Sequence, residues 1–117
     1  MSVTVTIANN RERVKPIQTS YGPEYPYEAN FCNENFTHIW EKLDFGASIE
    51  PIGRMDGRIL SRKVEALGGK IAKILNEVDL RDEAEDYAKA LYTLRVCTVL
   101  LSIAQEAERR EDPVVWA

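Results

Sequence analysis

Leu94-Arg95-Val96-Cys97-Thr98-Val99-Leu100-Leu101-Ser102-Ile103-Ala104 is the stretch that decides the fold. Eight of its eleven residues are apolar, and only Arg95, Thr98 and Ser102 are polar. It continues an amphipathic run in which Ala84, Tyr87, Ala88 and Leu91 recur at helical spacing. The whole therefore reads as one long helix over residues 81–110. A helix apolar nearly all round is buried on more than one side. Either the other helices and a sheet wrap it, or a second copy of the chain does. Asp79 or Asp82 suits its N-cap. Asp82, Glu83, Glu85 and Asp86 then place negative charge at its positive end, and Arg109-Arg110 place positive charge at the other.

Working outward, the segment Pro113-Val114-Val115-Trp116-Ala117 reads as a short strand over 113–116, tied down by pairing with a strand from the N-terminal third. On the other side, Ile59, Leu60, Val64, Leu67, Ile71, Ile74, Leu75 and Val78 keep helical spacing across Gly68-Gly69. Asp56 is placed to cap this helix, residues 56–78. Each interior glycine costs about 1 kcal/mol relative to alanine, so two short helices meeting at the glycines is the competing reading. The unbroken periodicity favours one helix. Residues 46–55, with Pro51 and two glycines, read as a loop. Phe36, Ile39, Trp40 and Leu43 mark a helix over 33–45, with Asn33 or Asn35 as N-cap and Gly46 just past its end.

The first 32 residues read differently. Val3, Val5 and Ile7 alternate with Ser2, Thr4 and Thr6, the period of a half-buried strand. Asn9-Asn10 supplies a turn. Residues 11–18 read as a second, more polar strand weakened by Pro16. Tyr21-Gly22-Pro23-Glu24-Tyr25-Pro26-Tyr27 reads as an extended loop, and residues 27–32 as a short strand. The expected fold is α+β: three main helices packed with a small β-sheet from the N-terminal region and the C-terminal tail, in a single domain over residues 1–117.

Three of these features together resemble a loose group of small bacterial proteins with no assigned function. They are the Asn-x-Asn helix start (Asn33, Asn35), the tyrosine near the opening of the long helix (Tyr87), and the Val-x-Trp-small ending (Val114 or Val115, Trp116, Ala117). The middle, with Gly68-Gly69, departs from that pattern. The resemblance implies an α+β fold and contributes no activity and no site residues.

Composition narrows the function. The chain has 117 residues and a formal net charge of -4, from 15 basic and 19 acidic residues. That balance argues against a dedicated phosphate-backbone binder. Cys32 and Cys97 form no CxxC pair, and His38 is the only histidine. No metal and no cofactor is therefore expected. The opening residues lack a signal-peptide pattern and no apolar run approaches about 20 residues, so a cytoplasmic protein with no membrane segment is expected.

Several groups are candidates for chemistry. Cys32 and His38 form a possible nucleophile and base; the plainer reading is a small buried cysteine and a partly exposed histidine. The carboxylate pairs Asp82/Asp86 and Glu34/Glu41 read more simply as solvated helix faces. Gly57 would let an anion approach a helix N-terminus with Arg54, Arg58 and Arg62 nearby. Residues 54–73 carry six basic and two acidic residues, a stripe that suits nucleic acid or an acidic protein face but is more often a water-facing side. Tyr21, Tyr25 and Tyr27 suit a partner-binding loop, because tyrosines supply contact area at low entropic cost. With no catalytic set present, the expectation is a non-enzymatic protein-interaction module such as a regulator, inhibitor or immunity-type partner. Self-association through the last helix is part of that expectation. The alternatives are a small-ligand or anion-binding domain and a nucleic-acid-associated regulator.

Overall fold

The computed structural model describes residues 2–44, 52–77 and 84–117. Strand β1 (Ser2–Ile7) runs into a single helical turn, α1 (Asn10–Arg13). A hairpin follows, β2 (Ile17–Thr19) and β3 (Gly22–Glu24), and then β4 (Ala29–Cys32). Helix α2 (Asn33–Leu43) precedes β5 (Gly53–Met55), α3 (Gly57–Glu77), α4 (Ala84–Arg110) and β6 (Val114–Trp116). The expected α+β class is the observed one.

The main sheet is antiparallel with the order β4-β1-β6-β5. Val3, Val5 and Ile7 turn inward and Ser2, Thr4 and Thr6 outward, as their alternation requires. The expected strand near residue 114 is seated between β1 and β5, with Val5 opposite Trp116 and Ile7 opposite Val114. Backbone bonds between Thr4 and Ala117 (2.9 and 3.1 Å) extend that pairing.

α4 is covered by α3 and by the sheet, and leaves Tyr92, Arg95, Val99 and Ser102 exposed along one side. Gly57 of α3 lies against Ala104 and Glu108, and Gly68 lies nearest Cys97, so α3 and α4 run antiparallel. The inner residues of α4, including Leu100, Ile103 and Ala107, are buried together with Leu60 and Val64 of α3 and Val5, Ile7 and Val114 of the sheet. Fully burying one such aliphatic side chain contributes about 1.5–3 kcal/mol. By length and composition alone, Tyr87–Arg110 would pass for a membrane span, which corrects the reading that no run approaches that length. Of its 18-residue apolar window, 33% is buried, against α3 and the sheet. α2 closes one end of the core through Phe36 and Trp40, with the Trp40 ring centre 4.6 Å from that of Phe36 and 5.1 Å from that of Trp116.

α3 is one helix through Gly68-Gly69, and the Asp56 carboxylate accepts the Arg58 N–H at 2.8 Å. Other expectations are corrected. Residues 11–18 do not form one strand: Asn9 adopts a left-handed φ of 60° and Asn10 is buried, so the chain coils into α1, is extended again at Val14, and pairs as a strand only from Ile17. The segment read as a loop from Tyr21 contains β3, because Pro23 lies on an outer edge where its missing N–H costs no ladder bond. Neither Asn33 nor Asn35 caps α2. Cys32 holds that position without a side-chain bond, and the Asn35 amide instead donates to the Tyr92 hydroxyl at 3.3 Å. α2 ends at Leu43 with Asp44 left-handed (φ 54°), while Gly46 lies outside the described residues, as do Asp79 and Asp82. Gly53–Met55, read as loop, is a strand held by β6. A Cβ at Gly53 would fall 2.3 Å from the Trp116 ring, so glycine lets the indole lie against the β5 backbone.

Candidate functional site

The three tyrosines of the Tyr/Pro segment divide into two anchors and one free ring. Tyr27 has a left-handed backbone (φ 59°), packs against the core, and lies 5.3 Å beneath the Arg110 guanidinium. Its carbonyl accepts the Thr6 hydroxyl at 2.8 Å. Next to it, Asn10 donates to the Pro26 carbonyl (2.7 Å) and accepts from Arg110 (3.0 Å). Arg110 also pairs with Glu106 at 3.2 Å, so a nearly buried guanidinium is satisfied from three sides.

Tyr25 lies 4.3 Å beneath the Arg11 guanidinium. Arg11 forms a two-pronged pair with Glu28, at 2.9 and 3.2 Å, and that carboxylate raises the Arg11 pKa above its ordinary value. α1 is thereby clamped to the segment that follows the hairpin.

Tyr21 has no such anchor. Its side chain is 98% exposed at the tip of the β2–β3 hairpin. The tip is nevertheless well ordered locally. The Thr19 hydroxyl donates to the Gly22 carbonyl at 2.7 Å and accepts the Tyr21 N–H at 3.3 Å, while Gly22 takes the positive φ of 113° that the turn requires. Both faces of the hairpin are open: Ile17 and Glu24 are exposed on one, Gln18 and Pro23 on the other. β2 and β3 pair with each other and with no strand of the main sheet. The composition of the segment pointed to Tyr21, Tyr25 and Tyr27 together. What it did not reveal was the anchoring role of Arg11 and Glu28, distant in sequence, nor the exposure of Ile17.

The arginine set does not converge. Gly57 is buried, and a Cβ there would lie 2.5 Å from the Ala104 carbonyl oxygen, so its lack of a side chain serves contact with α4. The first turn of α3 already holds the Asp56 carboxylate. Arg58 approaches Glu108 at 3.9 Å, and Arg62 is exposed. Arg54, opposite Val115, instead borders an open hollow of about 590 Å³ on the outer side of the sheet, with Thr4, Thr6, Ile52 and Ala117.

Cys32 and His38 are both exposed, and His38 borders a shallow depression on α2 with Glu34, Thr37 and Glu41 that does not include Cys32. Cys97 is buried, and that burial pushes its thiol pKa up. The side chains of Asp82 and Asp86 lie outside those described. Among the described residues, no three His, Cys, Asp or Glu side chains group as metal ligands would.

No protein-family model matches the chain, and no curated protein or solved structure is significantly similar to it.

Proposed function

We propose that the protein is an interaction module whose contact element is the β2–β3 hairpin. One observation carries this reading: the hairpin stands apart from the main sheet with both faces in solvent and an aromatic ring fully exposed at an ordered tip. A two-stranded hairpin alone is marginally stable in water. Ordering one to hold Tyr21 and Ile17 in solvent serves no packing purpose in the molecule itself. Against a partner, a rigid tyrosine supplies contact area with little conformational entropy left to lose. A regulator, inhibitor or immunity-type partner fits this description. Capture of tagged protein from native lysate tests it, comparing the wild type with a Tyr21→Ala, Ile17→Ser variant. A saturable partner retained by the wild type and lost by the variant is expected. Equal capture by both would sink the hairpin as the contact element.

Self-association through α4 is a second reading, supported by Tyr92 (42% exposed) and Val99 (45% exposed) on its flank. Arg95 is the single charge from residue 90 to 105, so a second copy meets little desolvation cost there. Sedimentation at rising concentration checks it; a species that stays monomeric removes it. For the ligand-binding alternative, Arg54 beside the hollow is the residue to test, by thermal shift with small anions against Arg54→Glu. The basic stripe, with Arg62, Lys70 and Lys73 exposed, supports the nucleic-acid alternative, which requires strongly salt-dependent binding.

A further inference from the structure

The register of the hairpin determines which of its two edges another strand can use. Ile17 stands opposite Glu24, Gln18 opposite Pro23, and Thr19 opposite Gly22. In an antiparallel ladder, directly opposed residues alternate between pairs that exchange N–H···O bonds and pairs that do not. Pro23 has no N–H, so the Gln18–Pro23 pair is of the second kind. The bonds across the hairpin therefore belong to the Ile17–Glu24 and Thr19–Gly22 pairs. Main-chain groups of Gln18 and Pro23 consequently point outward, away from each other.

The two outward edges are chemically unequal. On the β3 side, Pro23 offers a carbonyl and no donor, and a neighbouring strand would leave its own acceptor unpaired. Edge prolines block strand pairing in this way. On the β2 side, Gln18 offers both an N–H and a C=O, with no backbone partner for either among the described residues, while Pro16, two residues upstream in the same outward alternation, adds a carbonyl and no donor, so Gln18 is the one complete donor–acceptor position that β2 turns outward. Ile17, next to it, is 62% exposed. Lys15, two residues upstream of Ile17, is exposed and makes no ion pair among the described residues. The open edge is thus flanked by an apolar side chain and an exposed cation. The blocked strand carries the acidic Glu24.

We infer that the β2 edge accepts an extended segment of a partner protein as a third strand, paired through Gln18, with an apolar side chain against Ile17 and a carboxylate near Lys15. This rests on the reading of the hairpin as the contact element and adds the mode of recognition: main-chain bonds give affinity, and the flanking side chains give selectivity. A second copy is a poor occupant. Its own β2 edge, residues 15–21, brings a second Lys15 and no carboxylate to meet the first.

The experiment uses the whole chain as bait for a displayed library of random peptides, followed by affinity measurements with one selected synthetic peptide. Gln18→Pro removes the outward donor at a position where the hairpin's own ladder loses nothing. It is expected to weaken binding by about tenfold or more, and Lys15→Glu to weaken it too. Pro23→Val, on the other edge, is expected to leave affinity unchanged. Amide exchange at Gln18 should slow in the complex. An unchanged thermal unfolding curve for Gln18→Pro shows that the fold is intact; if it is not, the exchange measurement on the wild type decides. Peptides that bind Gln18→Pro as tightly as the wild type overturn strand addition, as does unprotected exchange at Gln18 or failure to enrich any peptide. Binding that is lost in Tyr21→Ala but indifferent to Gln18→Pro overturns strand addition while leaving the hairpin as the contact element.

Discussion

An added methyl group meets opposite surroundings at two glycines of α3. At Gly57 it would lie 2.5 Å from the Ala104 carbonyl oxygen and 3.1 Å from the Glu108 nitrogen, both backbone atoms that cannot step aside. At Gly69 nothing lies within 4 Å. Gly57→Ala is expected to destabilise by about 1–3 kcal/mol through overpacking. Gly69→Ala is expected to stabilise by up to about 1 kcal/mol through helix propensity. Urea unfolding of the two variants checks both signs. Sequence reading gave Gly57 a role in admitting an anion, because a glycine before a helix looks the same whether a ligand or a neighbouring helix approaches it. Only the partner surface, some fifty residues away in sequence, distinguishes the two.

Glu106 supplies the pH dependence at this scale. Hydrogen bonds from Arg109, and then from Arg110, hold its carboxyl below the usual carboxylate range. The folded value is thus below the unfolded one. Its contribution to stability is present above the unfolded value and is lost as pH falls through the folded one. Glu106→Gln is expected to flatten the acid side of the stability profile. Urea midpoints between neutral pH and about pH 3 test this, since that window spans the ordinary carboxylate range. An unchanged slope would remove Glu106 as a source of acid sensitivity.

Among elements, the two long helices were legible in the sequence because each carries its own evidence. Leu60, Val64, Leu67 and Ile71 repeat at helical spacing, and all are buried. The over-apolar half of α4 foretold two covered sides, and α3 and the sheet supply them. The short strands were not legible in the same way. Gly53-Arg54-Met55 has neither periodicity nor β-branched residues; it is a strand because β6 offers it hydrogen bonds and Trp116 lies against Gly53. The hairpin was hidden by its prolines. Pro23 forbids a central strand but not an edge, and which of these applies depends on register. The hairpin's stability rests on its base, where Arg11 joins Tyr25 and Glu28. Arg11→Ala is therefore expected to speed amide exchange across 17–24 several-fold while leaving global unfolding nearly unchanged. Equal slowing or equal speeding of exchange across β1 would contradict this local role.

For the whole molecule, the decisive arrangement is the position of β6 inside the sheet. It has β1 on one side and β5 on the other, and Val114 within it is fully buried. Removing residues 114–117 leaves β5 without a neighbour and opens the sheet side of α4. The expected result is loss of the cooperative unfolding transition, read by circular dichroism in urea; a truncated chain with a native-like midpoint would show that α3 and α4 hold the core alone. The sequence indicated that this segment would pair with an N-terminal strand, because Pro113-Val114-Val115-Trp116-Ala117 is an unbroken apolar run that water does not favour. It gave no sign that Tyr21 stands free while Tyr25 and Tyr27 are anchored, nor that Ile17 is exposed beside it. Exposure of Tyr21 and Ile17 is a property of what fails to pack on them, and no local pattern records that.

The pairing of Val5 with Trp116 also sets a timetable for synthesis. A ribosome adding roughly 5–20 residues per second makes these two partners about 5 to 20 s apart. During that interval β1 has β4 beside it and nothing on its other flank, while α3 and α4 are made before the β6 residues Val114 and Trp116 that complete the core. The sheet closes only after the codon for Trp116 has been read.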